Sequence, residues 1–218
     1  MNTTKSDFHI HSRYSPDSLL SIDALIKRCI RKRLGLIAIT DHNSIQGALE
    51  ARENSPFPVI IGEEVTTADG ELTGLFLKEL VPKGLSAQET VKIIKSQKGL
   101  VSVPHPFDTF RRNVISKPVL SEIMPDVDII EGFNARNTLS SANIKAKALA
   151  SEHSKPITSV TDAHTSYELG RCYTELAINL SEEITPQALL ESLGNAHLYE
   201  NKVTPMIHIV TTLTKLIK

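Results

Sequence analysis

The segment Asp7-Phe8-His9-Ile10-His11-Ser12 carries two histidines one residue apart. In an extended strand alternate side chains share a face, so His9 and His11 point to one side and Phe8 and Ile10 to the other. Two neutral imidazoles that converge on one point are good ligands for a divalent cation. Taken alone, the pair is also consistent with the wet face of a half-exposed strand. Three further histidines weigh for the cation, because His42, His105 and His164 each follow a short apolar run. Acidic residues arrive beside them at Asp17, Asp41, Glu64, Glu131 and Asp162. This set exceeds what one tetrahedral ion can use; two or three ions are more economical, with a carboxylate such as Glu64 bridging a pair. A hydroxide between two ions is a nucleophile at neutral pH. Mixed imidazole and carboxylate ligation suits Zn, Mn or Fe and does not choose among them.

The elements that must position these residues alternate. Apolar positions at Ile22, Leu25, Ile26, Cys29 and Ile30 describe an amphipathic helix with Ser21 as its cap, Asp23 in its first turn and Gly35 as its end. Helices are further expected from Ile45 to Glu53, from the capping box Ser86-Ala87-Gln88-Glu89 to about Gln97, from Ser140 to His153, from Thr185-Pro186 to Asn195, and over 206–217. Apolar or β-prone runs at 36–40, 59–61, 71–77, 100–103, 127–130, 156–160 and 172–178 read as strands, and with the first they make seven or eight. Strands separated by helices form a mainly parallel sheet. A doubly wound sheet gathers ligands at one switch point, whereas here polar clusters follow at least five strands. The expected class is therefore α/β, barrel-like, with the metal site at the C-terminal ends of the strands. The apolar stripe of the last helix (206, 209, 210, 213, 216 and 217) is expected to cover the bottom of the barrel.

The chain of 218 residues fits a single barrel domain over 1–218, with metal motifs within 7–180 and C-terminal helices over 185–218. Lys plus Arg (24) balance Asp plus Glu (25) to a net charge of -1, which argues against a platform for long nucleic acid. With no apolar leader and no run of 18 apolar residues, no membrane contact is expected and the expected location is cytoplasmic. Cys29 and Cys172 show no CxxC spacing and are expected as buried, reduced thiols without function.

Seven segments in order resemble the PHP family, named after its polymerase and histidinol phosphatase members. They are His9-Ile10-His11, Tyr14-Ser15-Pro16-Asp17-Ser18, Ile39-Thr40-Asp41-His42-Asn43, Gly62-Glu63-Glu64, Val103-Pro104-His105-Pro106-Phe107-Asp108, the stretch from Ile130 to Arg136, and Thr161-Asp162-Ala163-His164. The resemblance implies a distorted (β/α)7 TIM-like barrel and two or three divalent ions that hydrolyse phosphate esters. Carried over by position, His9 and His11 would hold a first ion with Glu64 and Asp162. Glu64 would bridge to a second ion bound by His105, and Asp17, His42 and His164 would hold a third. Asp41 is read as a support that orients an imidazole or caps the loop. Many family members carry another histidine where this chain reads Glu71-Leu72-Thr73-Gly74. Glu71 is either an oxygen ligand in its place or a solvated turn carboxylate that leaves the second ion poorly held. Glu63 faces away from Glu64 and is expected at the surface or as a support.

Hydrolysis also needs positive charge on the phosphate oxygens, and Arg111, Arg112, Arg136 and Arg171 follow the metal-bearing segments. Arg136 and Arg171 rank first as clamps, so Glu64, Asp162, Arg136 and Arg171 are the residues expected to act in catalysis. His153, His197 and His208 are expected to be structural or exposed. The expected activity is a metal-dependent phosphoesterase acting on a small phosphomonoester, a nucleotide or a sugar or metabolite phosphate, through a metal-bridging hydroxide. A nuclease or phosphodiesterase trimming nucleic-acid ends would need a basic, aromatic-lined groove, and the chain has no Trp and 5% aromatic residues. A noncatalytic, metal-stabilised PHP module is the remaining alternative, favoured by the sequence at Glu71.

Overall fold

The computed structural model describes residues 3–111, 113–204 and 207–218, and the side chains of these except 208–210, 215 and 217. Arg112 and Met206 lie outside the described residues. The elements run β1 (Thr4–Asp7), α1 (Ile22–Lys32), β2 (Leu34–Ile39), α2 (Gln46–Asn54), β3 (Val59–Thr67), β4 (Gly70–Leu75), α3 (Ala87–Ser96), β5 (Leu100–Val103), α4 (Lys117–Ile123), a 3₁₀ turn, β6 (Ile129–Asn134), α5 (Ser140–Glu152), β7 (Ile157–Val160), β8 (Tyr173–Leu176), α6 (Pro186–Leu193), β9 (His197–Tyr199) and α7 (Ile207–Ile217).

The sheet order β7-β6-β5-β4-β3-β2-β1-β8-β9 makes seven staves with a two-strand appendix on β1. Parallel pairing joins β1 to β2, β2 to β3, β5 to β6 and β6 to β7, whereas β4 runs antiparallel between β3 and β5. The regular (β/α) alternation is thus broken once, by the β3–β4 hairpin. Above β1 the chain meets the segment after β7: Ile10 bridges Ala163, and His11 N–H donates to Ala163 O at 2.8 Å. Lower down, the Asp7 carboxylate accepts from Thr161 N–H at 3.1 Å and from the Thr161 hydroxyl. These contacts bring the first and seventh staves together, and the sheet is a nearly closed, distorted TIM-like barrel. Taking Asp7 out of water to do so pushes its carboxyl up to about 7.

Alternation along the strands sorts the apolar residues into two layers. Ile37, Ile39, Ile61, Val101, Val103 and Ile130 pack outward against Ile22, Leu25 and Ile26 of α1, Ala48 of α2 and Ile94 of α3. Leu36, Ala38, Ile60, Leu100, Ile129 and Val160 face inward, where Leu189 and Leu193 of α6 join them. Leu190 and Leu193 of α6 also meet Val127, Asp128, Pro156 and Ile157, where β6 and β7 begin, so α6 plugs the bottom of the barrel. The last helix does not: Thr211 and Thr212 of α7 line the opposite mouth, Leu213 and Leu216 are exposed, and Ile209, Val210 and Ile217 carry side chains outside the described set. Its terminal Lys218 donates to the carbonyls of Ser15 at 2.6 Å and Ser18 at 2.9 Å. The apolar stripe was a correct sign of amphipathicity that carried no information about which end of the barrel it meets.

Local signals behave as chemistry requires. Ser21 accepts from Ala24 N–H, and Ser86 and Glu89 form the reciprocal capping box of α3, a cap whose loss costs about 1 kcal/mol. Gly35 does not end α1; Arg33 takes the left-handed conformation (φ 58°) instead, its N–H returning to Cys29 O and Ile30 O, and Gly35 lies within β2. α4 and β9 had no periodic signal, being one short helix and one three-residue edge strand. Cys29 and Cys172 are free and buried, and burial pushes the Cys29 thiol up to about 12. No helix among the described residues is long and apolar enough to cross a membrane.

Candidate metal centre

The expected alternation fails at one point, with consequence. Phe8 packs in the inner layer and Ile10 in the outer one, so the chain twists between them and β1 ends at Asp7. His9 and His11 still converge above the inner apolar layer, their rings 5.0 Å apart and both fully buried. His9 Nε2 lies 3.0 Å from His11 Nε2, 3.3 Å from Glu64 Oε2 and 3.7 Å from Asp162 Oδ1. His11 Nε2 lies 3.3 Å from Glu64 Oε2 and 3.5 Å from Asp162 Oδ1. Donors at about 2.1 Å from one tetrahedral ion stand about 3.4 Å apart. The five distances from the two imidazole nitrogens bracket that spacing, and ligand atoms of His9, His11 and Glu64 all lie within 4.8 Å of one another, as do those of His9, His105 and Asp162.

Two of these atoms are also orphans. Glu64 Oε2 and Asp162 Oδ1 are buried, and neither accepts a hydrogen bond of good geometry among the described residues. A buried carboxylate oxygen without a donor is costly unless a cation meets it. The donor set of this chain therefore fits a divalent metal.

Supports hold the imidazoles from behind. His9 Nδ1 lies 2.5 Å from Glu131 Oε1, the carboxylate–histidine arrangement that fixes a ligand's tautomer and ring plane. The other Glu131 oxygen accepts from His105 N–H and Asn134 Nδ2, both at 2.9 Å. His11 Nδ1 lies 2.9 Å from Ser15 Oγ, which also accepts His42 N–H at 2.8 Å. Asp41 caps the loop after His11, accepting from Ser12 N–H at 2.5 Å and Ser12 Oγ at 2.6 Å. Gly47 on α2 makes room for that pair, since a Cβ there would stand 2.1 Å from Asp41 Oδ2 and 2.3 Å from Ser12 Oγ. Two of the ligand candidates, His105 (φ 29°) and Asp162 (φ 54°), adopt a left-handed backbone that costs a non-glycine residue about 1–3 kcal/mol.

On the other side of Glu64, His105 Nε2 lies 3.0 Å from Oε1 and 4.0 Å from Glu71 Oε2. Glu71 is buried and accepts from Asn113 Nδ2 at 3.2 Å, so it is turned toward the centre and is not a solvated turn residue. His42 Nδ1 lies 3.1 Å from Glu64 Oε2 and 3.8 Å from Glu71 Oε1, while its Nε2 lies 3.4 Å from Asp17 Oδ2. Asp17 Oδ1 lies 3.3 Å from His164 Nε2, and ligand atoms of His11, Asp17, His42 and His164 all fall within 4.8 Å of one another. All nine metal candidates thus meet at one rim.

The electrostatics are those of a crowded, dry cluster. Burial would lower the His9 imidazole, but Glu131, Asp162 and Glu64 outweigh it and hold its pKa well above the ordinary value. His11 follows, raised to about 9 against its own burial by Asp162 and Glu64. Burial would raise Glu64, yet His9 and His42 hold it well below the carboxylate range, and Arg111 and His9 do the same for Asp162. Glu71 is raised, by burial and then by the Glu64 charge. His164 is lowered to about 3 by burial, His11 and Arg136. Glu63, expected at the surface or as a support, is fully buried on the opposite face of β3, where its carboxylate accepts Val81 N–H at 2.9 Å.

The arginines divide. Above the cluster opens a cavity of about 500 Å³ whose wall includes Asp17, His42, Glu71, Arg111, Arg136 and His164. Arg136 is buried and committed within that wall: its guanidinium contacts His164 Nδ1 and donates to Thr211 Oγ1 at 3.1 Å, with Nε 3.4 Å from Glu168 Oε1. Arg111, ranked behind it in the sequence, pairs with Asp162 Oδ2 and lies 3.4 Å from Asp108. Arg171 is not brought to the centre; it stacks on Tyr167 in a different cavity. It follows the last metal motif in sequence, but the loop carries it beside Arg28 and Lys32 of α1. Glu131 was visible as an acid at a strand end, but nothing in its spacing told that it holds His9. His153 and His197 are exposed, and the His208 side chain is not among those described.

Residues 7–103 match the PHP domain, and residues 140–197 match a PHP-associated region. An uncharacterized protein of Methanocaldococcus jannaschii is 39% identical over 145 residues, which cover 60% of this chain and 82% of that protein. A second uncharacterized protein of the same organism is 35% identical over 195 residues, 87% of this chain and 78% of its own length. Among solved structures, a two-domain protein from Bacteroides vulgatus, described as containing a predicted PHP-like metal-dependent phosphoesterase, superposes with a TM-score of 0.76 at 19% identity. The match covers 92% of this chain and 65% of the length of the two-domain protein, and shares the fold.

Proposed function

The chain belongs to the PHP family, and from that premise we propose that it is a metal-dependent phosphoesterase releasing phosphate from a small phosphomonoester. The observation that carries the reading is the approach of Glu64 Oε2 and Asp162 Oδ1 to His9 Nε2 and His11 Nε2 at 3.3–3.7 Å, with the two nitrogens 3.0 Å apart and both carboxylate oxygens lacking a hydrogen-bond donor among the described residues. These four residues would hold one ion. Glu64, His105 and Glu71 would hold a second, and Asp17, His42 and His164 a third. Divalent ions at such positions polarise a phosphoryl oxygen and lower the pKa of water so that hydroxide is available at neutral pH.

The chain's own residues supply the rest. Arg111 reaches from the loop after β5 into the cavity wall, where its fork can receive two phosphoryl oxygens as negative charge builds there. Behind His164 the Asp162 carbonyl, 2.8 Å from Nδ1, accepts that N–H and leaves Nε2 free toward the centre, while the Arg136 guanidinium closes the back of the ring. Glu131 does the same for His9. Asp41 and Ser12 keep the loop that carries His11 closed over the inner layer, and the cavity of about 500 Å³ is of the size that takes one small ligand.

The test is to purify the protein with Mn, Zn or Fe, count ions by elemental analysis, and assay phosphate release from mononucleotides, nucleoside bisphosphates and sugar phosphates. Two or three ions per chain with turnover on one class is the expected result. An ion-replete protein that releases phosphate from none of them overturns the reading.

A further inference from the structure

The cavity that received Arg171 is a site in its own right. It measures about 370 Å³ and lies between the C-terminal half of α1, the 167–171 loop and the edge strand β9. Three cations line it: Arg28 and Lys32, one turn apart on α1, and Arg171 from the loop. Like charges four residues apart on a helix repel one another, and a third cation in the same cavity adds to that cost. Among the described residues no carboxylate lies within ion-pairing distance of any of the three, although Asp23, Glu50, Asp108, Asp128, Glu168 and Glu200 all pair with other cations. Arg28 Nε is buried and has no hydrogen-bond partner among the described residues. Arg171 donates to the Tyr167 hydroxyl, but a buried guanidinium N–H without an acceptor, beside two further cations that meet no carboxylate, points to a ligand that is an anion.

The cavity also has aromatic walls. Tyr167 and Tyr199 are 57% and 47% exposed. Each has one face already covered, Tyr167 by the Arg171 guanidinium at 4.1 Å and Tyr199 by Tyr173 in a parallel stack at 4.8 Å. A ring held from behind and open in front is a stacking platform. The loop is set against the helix by Gly170 (φ 72°), where a Cβ would stand 2.7 Å from the Lys32 side chain, so only glycine brings Arg171 this close to α1.

We propose that this cavity binds a nucleoside phosphate, its phosphate held by Arg28, Lys32 and Arg171 and its base stacked on the open tyrosine face. The site is separate from the metal centre and does not depend on the phosphoesterase reading. It shares a loop with it, however: His164 and Thr165 donate their backbone N–H groups to Glu168, which lies between Tyr167 and Gly170.

The experiment is equilibrium dialysis of the metal-loaded protein against a non-hydrolysable phosphonate analogue of AMP, comparing wild type with Arg28→Ala/Lys32→Ala and with Lys32→Glu, whose position on the rim leaves the core of α1 untouched. Wild type is expected to bind one equivalent more than the double variant at equal metal content, and Lys32→Glu to weaken that equivalent at least tenfold. Adenosine and inorganic phosphate, offered separately, should each compete at least tenfold less well than the analogue. Equal stoichiometry and affinity in all three proteins overturns the proposal, and competition by inorganic phosphate as strong as by the analogue overturns the nucleoside assignment.

Discussion

The two oxygens of Glu64 face differently built surroundings. On the Oε2 side stand half-buried His42 and, all fully buried and each tied to a further group, His9, His11 and Asp162: Glu131 behind His9, Ser15 beside His11, and Arg111 and Asn134 on the second Asp162 oxygen. On the Oε1 side stand His105, whose Nδ1 is buried without a hydrogen-bond partner among the described residues, and Glu71, 4.0 Å away and held by Asn113 from a loop. One side is pre-organised and the other is slack. The first half of the centre is therefore built to bind an ion in a fixed geometry, whereas the second depends on Glu64 to share it, and a ligand's support matters as much as its identity.

Replacing the shared residue attacks both halves at once. Glu64→Ala is expected to lower phosphate release on the order of 10³-fold, the kinetic equivalent of several kcal/mol of lost charge stabilisation, and to remove more than one ion by elemental analysis. Loss of a single ion would show that the halves are independent. Arg111→Ala should lower kcat/KM by about 10²-fold with ion content unchanged, as expected for one removed donor to a developing oxyanion; a drop in ion content instead would make Arg111 a support of Asp162. Glu131→Gln keeps the shape but weakens the grip on His9, and should cost about 10–100-fold in affinity for the tightest ion, read by competition with a chelator. An unchanged affinity would mean that the buried side owes nothing to its supports.

The barrel and most of the nine converging ligand candidates could be read in the sequence because they come at or just past the end of an apolar run, and a nearly parallel sheet sends all such ends to one rim; Asp17, in a loop, and Glu71, at the start of antiparallel β4, are the exceptions. Distances beyond neighbouring residues could not. Arg171 stands seven residues after His164, yet the loop at Gly170 turns it outward against Lys32. Arg111 stands six residues after His105 and lands on Asp162. Nor does a helical stripe say what it covers: α6 plugs the barrel and α7 lies at its mouth, although both are amphipathic. Glu63 and Glu64 show the same limit within one strand. They alternate faces as expected, but the outer face there is covered by the segment around Val81, which no pattern near β3 announces.

Glu71 gives the finest test of the difference between the two sides. Its carboxyl is raised by burial and by the neighbouring Glu64 charge, so it is a reluctant anion beside an anion already present. The Asn113 amide and the imidazoles of His42 and His105 only partly offset that repulsion. A histidine at the same position would bring a neutral donor and remove the like charge. Glu71→Ala is accordingly expected to cost about tenfold or less in kcat, a small loss for a donor at the slack edge of the centre. Glu71→His should bind the second ion more tightly than wild type, seen as fuller occupancy at limiting metal, with the tightest ion unaffected because its donors lie on the far oxygen of Glu64. If Glu71→Ala instead falls as far as Glu64→Ala, the two sides are equally organised, and the slackness of the Oε1 side is a matter of distance without energetic consequence.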